Sequence, residues 1–393
     1  MRARFVFVAI ACHSVLLSAQ TGADSARAPW TVEGRVRLGV EYDGNPFRLP
    51  ASRVRELATP SIAQLASQRY ARMESGDDVI VRTRLEGILE GPGLGGRTLR
   101  VWPRLTYERY SASAARSNVA LGLELEQDLP KGRRLQLHAD YVPSYFHRNY
   151  LADAVDLDLD LSIQGGERVY GRGDYREFTL SADYQHRLLN ASRSRPMRVW
   201  GVIGVGISDR KYDAPFAARN SSGPTMRVRL RVEPRRTLEF MTTYDLALLS
   251  SPVLRQVILV DEVLVGEDLN ANGNATDLNV RLFDTVDRSR TEHVLEQRAT
   301  LQVNSRLDLV VLAAYRWRRF TSRERYDLAN NDRRDNRIDL GLSAEYRLRR
   351  EVRLFAGADY SSQRLDQLED LAGEGTVDDY KRSQVHAGVR LSR

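Results

Sequence analysis

Charged side chains recur at every second position in this chain, and that spacing is the first chemistry to read. Arg35 and Arg37, then Arg82, Arg84 and Glu86, then Arg100 and Arg104, then Glu124 and Glu126, then Arg227, Arg229 and Arg231, stand two residues apart. Successive side chains of a strand point to opposite faces, so each set shares one face. Asp140, Arg198, Glu239, Arg298, Arg316, Asp339, Glu345, Arg353 and Asp359 take the same face of their own segments. Rings of charge around water select among ions or anionic solutes. A structural lattice of salt bridges that narrows the interior explains the same letters. Arg227, Arg229 and Arg231, with Arg235 and Arg236 nearby, tilt the wall toward a mild preference for anions.

A second candidate is the run Asp268-Leu269-Asn270-Ala271-Asn272-Gly273-Asn274. Asp268, Asn270 and Asn272 place oxygen ligands at the first, third and fifth positions of a calcium loop, and Gly273 turns the chain at the sixth. Asn274 follows, the twelfth position is Asn279 instead of glutamate, and Asp277 is the nearest substitute carboxylate. An Asn/Gly-rich surface turn is the competing reading. Asp156, Asp158 and Asp160 alternate with Val155, Leu157 and Leu159 and read as a strand extension or hairpin.

Catalysis finds little support. His138 and His386 share the charged face but belong to the fifth and the last segment, while His147, His186 and His293 fall near segment ends where solvent is expected. No G-x-S-x-G, H-E-x-x-H or P-loop motif occurs, so no catalytic residue is assigned and no enzyme is expected. Cys12 is the only cysteine, and it lies in a leader-like stretch, which removes disulfides and thiolate metal sites from a processed chain.

The elements that must position these charges are long alternating segments. From Thr31 onward, roughly fourteen segments of about ten to thirteen residues carry apolar side chains on alternate positions, as transmembrane β-strands do. Val32, Val36, Leu38, Val40 and Tyr42 oppose Glu33, Arg35, Arg37 and Glu41 in the first; Val385, Ala387, Val389 and Leu391 oppose Gln384, His386 and Arg390 in the last. A soluble sandwich also alternates, but its strands average about five or six residues. Tyr42, Tyr107, Tyr141, Tyr145, Tyr315, Trp317 and Tyr360 collect toward the long connections, and Tyr184 and Tyr346 toward the turns, the pattern of two interfacial belts. Propensity alone also favours tyrosine in strands. Pro103 and Pro143 lie inside segments and predict bulges there or a shorter paired region, since proline cannot donate to the ladder.

Short and long connections alternate. Tight links contain Pro92, Pro130, Pro234, Ser305 and Arg349, and long polar connections cover 44–77, 149–174, 210–224, 249–293, 319–334 and 361–379. That asymmetry predicts short periplasmic turns and long external loops. Residues 1–19 read as a signal peptide, with Arg2 and Arg4 before an apolar run and a small-residue end at Ala19. A lipoprotein reading through Cys12 fits less well. Residues 20–30 are expected to be a short periplasmic segment and 31–393 the barrel. No later stretch reaches about eighteen consecutive apolar residues, so strands are the spanning option. A net charge of +7, with 59 basic and 52 acidic residues, is too balanced for a nucleic-acid protein.

The segment Gly39-Val40-Glu41-Tyr42-Asp43-Gly44-Asn45-Pro46-Phe47-Arg48, followed by Asp78 at the next strand, resembles the opening of outer-membrane β-barrel porins of Gram-negative bacteria, whose first strand often ends in a Tyr-Asp-x-Asn turn. The C-terminal Leu391-Ser392-Arg393 departs from the aromatic end common in such barrels. The expected fold is an all-β, antiparallel up-and-down barrel of about 14 strands in the bacterial outer membrane. Its expected partners are outer-membrane lipid, small hydrophilic solutes and the barrel-assembly machinery. A passive channel is the leading functional expectation. A non-conducting barrel whose loops serve adhesion, surface assembly or envelope-polymer interaction is the alternative, and a soluble all-β protein is third.

Overall fold

The computed structural model describes residues 30–61, 70–151, 170–190, 197–213, 216–259, 281–323, 330–366 and 379–392. Residues 1–19, expected to be a signal peptide, most of the segment before the first strand, the Asp268 loop with Asn270, Asn272, Asn274 and Asp277, and the Asp156 run lie outside these residues.

Sixteen strands are described: β1 (Thr31–Asp43), β2 (Asp78–Pro92), β3 (Thr98–Tyr110), β4 (Asn118–Leu129), β5 (Arg133–Leu151), β6 (Tyr170–Leu189), β7 (Arg198–Tyr212), β8 (Ser221–Arg235), β9 (Leu238–Leu249), β10 (Leu254–Leu259), β11 (Arg281–Val286), β12 (Arg290–Gln302), β13 (Leu307–Phe320), β14 (Arg334–Arg347), β15 (Val352–Asp366) and β16 (Tyr380–Ser392). Fourteen of them form a closed antiparallel barrel in sequence order, and β10 pairs with β11 as a separate hairpin between β9 and β12. The cylinder closes where β1 meets β16, from Arg35 opposite Ser392 to Asp43 opposite Gln384. Closure leaves no free sheet edge around the wall, so the backbone is satisfied within the bilayer.

The alternation decides which face is which. Ile203 is 64% exposed, Val385 58%, Leu342 57% and Val40 54%, with no second layer over them among the described residues. A sandwich would bury these side chains between sheets. Their neighbours one position along, such as Gly204, Gln384, Ser343 and Glu41, face the interior. Tyr42, Tyr107, Tyr141, Tyr315 and Tyr360 stand on the outer face at one end and Tyr184 and Tyr346 at the other.

The prolines behave differently from one another. The β5–β6 register slips between Val142 and Tyr145, so Pro143 does sit at a bulge. At Pro103 the β2–β3 register runs through unchanged from Glu86 opposite Arg104 to Leu89 opposite Val101. Gly87 makes the room there, since a Cβ on it would come 3.2 Å from the proline ring. The expected bulge at Pro103 is therefore absent.

The connection after β1 is not merely polar. It holds the helix α1 (Ala51–Ala58), which follows Pro50 and ion-pairs Arg53 with Glu56 at 2.7 Å. Two turns of helix are marginal alone. Leu57 is buried, and Phe47, Leu49, Tyr70 and Met73 pack with it against Phe146 of β5, with Val54 beside them. Tyr70 donates its hydroxyl to Glu56 at 2.6 Å.

Candidate functional site

The inner wall carries a lattice of ion pairs that follows directly from strand parity. Arg100 reaches Glu90 at 2.9 Å and Glu126 at 2.6 Å; Arg134 reaches the other oxygen of Glu126 and Asp128, both at 3.0 Å. Arg82 bridges Glu41 at 2.9 Å and Glu108 at 2.7 Å. Glu345 binds Arg353 at 2.7 Å and Arg390 at 3.1 Å. Arg231 joins Glu233 at 2.8 Å to Glu239 at 2.7 Å, and Arg198 approaches the same Glu233 at 3.7 Å. Arg337 pairs with Asp339 at 2.6 Å and Arg35 with Glu33 at 2.6 Å. Arg84 pairs with Glu86, and Arg104 with Asp140.

The two inner histidines stay separate. His138 lies 3.5 Å from Glu124 and 3.8 Å from Asp183, which Arg227 approaches at 3.5 Å while holding Asp245 at 2.7 Å. His386 stands 3.4 Å from Asp359. His147, His186 and His293, expected in solvent, are all half-buried. Nδ1 of His186 is buried. His293 stacks on Trp317 with centroids 4.7 Å apart and its Nδ1 is 2.7 Å from the Tyr244 hydroxyl, all on the outer face. An imidazole there belongs to the aromatic belt.

Four of the wall arginines, Arg37, Arg229, Arg298 and Arg316, have no ion-pair partner among the described residues. Arg37 instead lies over the ring of Phe355, its guanidinium carbon 3.8 Å from the centroid. A guanidinium on an aromatic face gains from the ring quadrupole without losing its charge.

Two cavities open between these side chains. The larger, about 690 Å³, is lined by Arg37, Arg48, Arg82, Arg84, Arg104 and Arg382 against Glu41, Glu108, Asp140 and Asp359. The other, about 440 Å³, balances Arg210, Arg227, Arg290, Arg316 and Arg318 with Asp140, Glu177, Asp183, Asp245 and Glu292. Asp140 borders both.

The loop end of the larger cavity is built by residues that parity alone does not reveal. Because of the bulge after Val142, Tyr145 points inward and lines this cavity instead of joining the outer belt. It heads an inner row with Tyr175, centroids 5.2 Å apart, and Tyr212, a further 5.1 Å on. Arg116, 1% exposed, donates to the Tyr145 hydroxyl and to the His147 carbonyl at 3.0 Å, and covers Phe47 at 5.0 Å. Asp78 accepts backbone N–H groups of Ser111 and Ala112 at 2.9 Å and of Ser113 at 2.8 Å, which fixes the neighbouring short connection. Outside, the Ser75 hydroxyl at 2.6 Å and the Tyr42 hydroxyl at 2.8 Å donate to Asp77 and hold its carboxyl below the usual range.

Arg48 comes from the connection after β1. Its backbone sits at φ 54°, a left-handed conformation that costs a non-glycine residue about 1–2 kcal/mol. Asn45 supplies the restraint: it accepts from the Leu49 amide at 2.9 Å and donates to the Leu49 carbonyl at 2.7 Å and the Lys381 carbonyl at 3.0 Å. The glycine-free turn 45–49, with one asparagine bracing it, is the signal that sequence reading passed over.

No protein-family profile matches the chain, and no curated protein matches it. Solved structures do. The outer membrane channel DcaP of Acinetobacter baumannii is 10% identical, with a TM-score of 0.40, covering 95% of this chain and 99% of its own. Outer-membrane expressed OmpT of Vibrio cholerae is 11% identical, with a TM-score of 0.39 over 94% and 99%. The anion-selective porin from Comamonas acidovorans is 10% identical, with a TM-score of 0.34 over 93% and 99%. The assignment rests on the barrel's own geometry: a closed antiparallel cylinder with an apolar outer band and aromatic belts is built for the bacterial outer membrane.

Proposed function

We propose that the chain is a porin-like channel through which small hydrophilic solutes, anions preferentially, diffuse passively across the outer membrane. The observation that carries this reading is the pair of polar cavities, about 690 and 440 Å³, inside a lipid-facing cylinder, the larger of them lined by six arginines and four carboxylates. An interior built only to fill space would be packed with side chains, as small barrels are. The pore-lining set is Arg35, Arg37, Arg82, Arg84, Glu86, Arg100, Arg104, Glu124, Glu126, Asp140, Arg198, Arg227, Arg229, Arg231, Glu239, Arg298, Arg316, Asp339, Glu345, Arg353 and Asp359. Membrane lipid outside, solutes inside and the barrel-assembly machinery during insertion complete the proposed partners.

Single-channel recording in planar bilayers tests it. Folded protein should give stepwise conductance, with a reversal potential in a KCl gradient displaced toward the chloride equilibrium value. Absence of conductance would remove the channel in favour of a closed barrel acting through its outer loops, and displacement toward potassium would remove the anion preference.

A further inference from the structure

Across four adjacent strands, arginines stand directly opposite one another: Arg353 faces Arg390, Arg390 faces Arg37, and Arg37 faces Arg84. Like charges placed opposite in a sheet are destabilising. Three of the four are relieved, Arg353 and Arg390 by Glu345 and Arg84 by Glu86. Arg37 makes no ion pair among the described residues: the Phe355 ring covers it, and Glu345, already shared by Arg353 and Arg390, acts on it only from a distance. That ring lies against the wall over Gly39 and Gly388; a Cβ on Gly39 would come 3.2 Å from it, and one on Gly388 would run into it. The sequence thus uses small residues on two strands to lay an aromatic plate flat, and the plate fixes a free guanidinium facing the larger cavity.

A second guanidinium without an ion pair lines the same cavity. Arg48 has no ion-pair partner among the described residues, and its strained backbone is braced by Asn45. Burial holds its guanidinium below its ordinary pKa, Tyr380 and Tyr145 oppose it, and Arg382 and Arg337 push the same way as burial. A turn held in an unfavourable conformation to deliver an unneutralised charge is the kind of strain that accompanies function.

We infer that Arg37, with Arg84 opposite it, and Arg48 form a binding station for small oxyanions, carboxylate or phosphate, in the larger cavity. Guanidinium groups present planar pairs of N–H donors that match the oxygens of such groups, and each bond is charge-assisted. An anion there supplies the ion-pair partner that neither residue finds among the described residues. The inference deepens the channel reading and rests on it only for the route by which the anion enters.

The test is equilibrium dialysis of radiolabelled inorganic phosphate against the full chain in detergent at low ionic strength, with conductance measured on the same preparations. One phosphate per chain is expected. Arg37→Gln and Arg48→Gln should each weaken binding about tenfold or more, as expected for loss of a charge-assisted bond. Arg349→Gln, the same charge change in an exposed turn, should leave it within about twofold if the effect is local. Arg37→Lys and Arg48→Lys keep the charge and serve where a glutamine variant does not fold; an intermediate loss is expected because the fork geometry is gone. No saturable phosphate binding, or equal losses in Arg349→Gln and the two cavity variants, would overturn the station. Binding without conductance would leave the station standing and remove the channel; conductance without binding would do the reverse.

Discussion

The Asp43 carboxylate, fully buried at the end of β1, is held by Arg382 of β16, whose Nε lies 3.0 Å from each oxygen while Nη2 makes a further bond. This pair fastens the seam of the cylinder at the loop end. The same carboxylate accepts the Asn45 amide at 3.0 Å, so it also starts the turn that delivers Arg48.

Asp43→Ala should therefore destabilise the barrel by about 3–5 kcal/mol, the range for removing one partner of a buried ion pair. Asp43→Ala with Arg382→Met should recover part of that loss, because no charge is then left stranded. Urea unfolding in phospholipid vesicles reads both. Unchanged stability in the single variant would mean that the pair contributes nothing to closure.

Face assignment is testable at two adjacent residues of β14. Leu342 lies opposite Val311 and Ala358 and is 57% exposed, whereas Ser343 points to the interior. Leu342→Arg should cost about 2–4 kcal/mol, the penalty for arginine at the bilayer midplane, and Ser343→Arg much less. The reverse order in the same unfolding assay would invert the barrel's two faces.

Tryptophan placement gives an optical check. Trp317 stands on the outer face beside Tyr315 and His293, and Trp30 is 48% exposed at the start of the chain's first strand, whereas Trp200 is 7% exposed on the inner face beneath Arg231. Brominated lipids should quench the fluorescence of the folded protein. Quenching should fall sharply when Trp30 and Trp317 are both replaced by Phe and persist when Trp200 and Trp102, which shares the inner face of β3 with Arg100 and Arg104, are replaced. Equal quenching of the two double variants would argue against the assignment.

Strand parity was legible in the amino-acid order because hydrocarbon imposes the same demand on every outward residue, from Val32 to Leu391. The closed topology and the opposing charge ladders followed from it. Tyr145 was misplaced because a single extra residue near Pro143 reverses parity, and no local letter marks whether a proline forces a slip; Pro103 forced none. Arg48 and Phe355 were missed for a different reason. Their roles depend on contacts between distant segments, Asn45 with Lys381 and Phe355 with Gly39 and Gly388, which periodicity does not record. The apolar cluster around α1 hid in a connection whose overall composition is polar.

Hydrogen-bonding of β1 to β16 has a consequence for biogenesis. The two strands that complete the hoop are the first and last of the barrel in sequence order, so a partly assembled barrel keeps two raw edges until they meet. Such margins invite pairing with other chains, and contacts so remote in sequence form slowly. A polypeptide of this design is most vulnerable just before its ends join, and an escort that shields those margins would raise the yield of inserted protein.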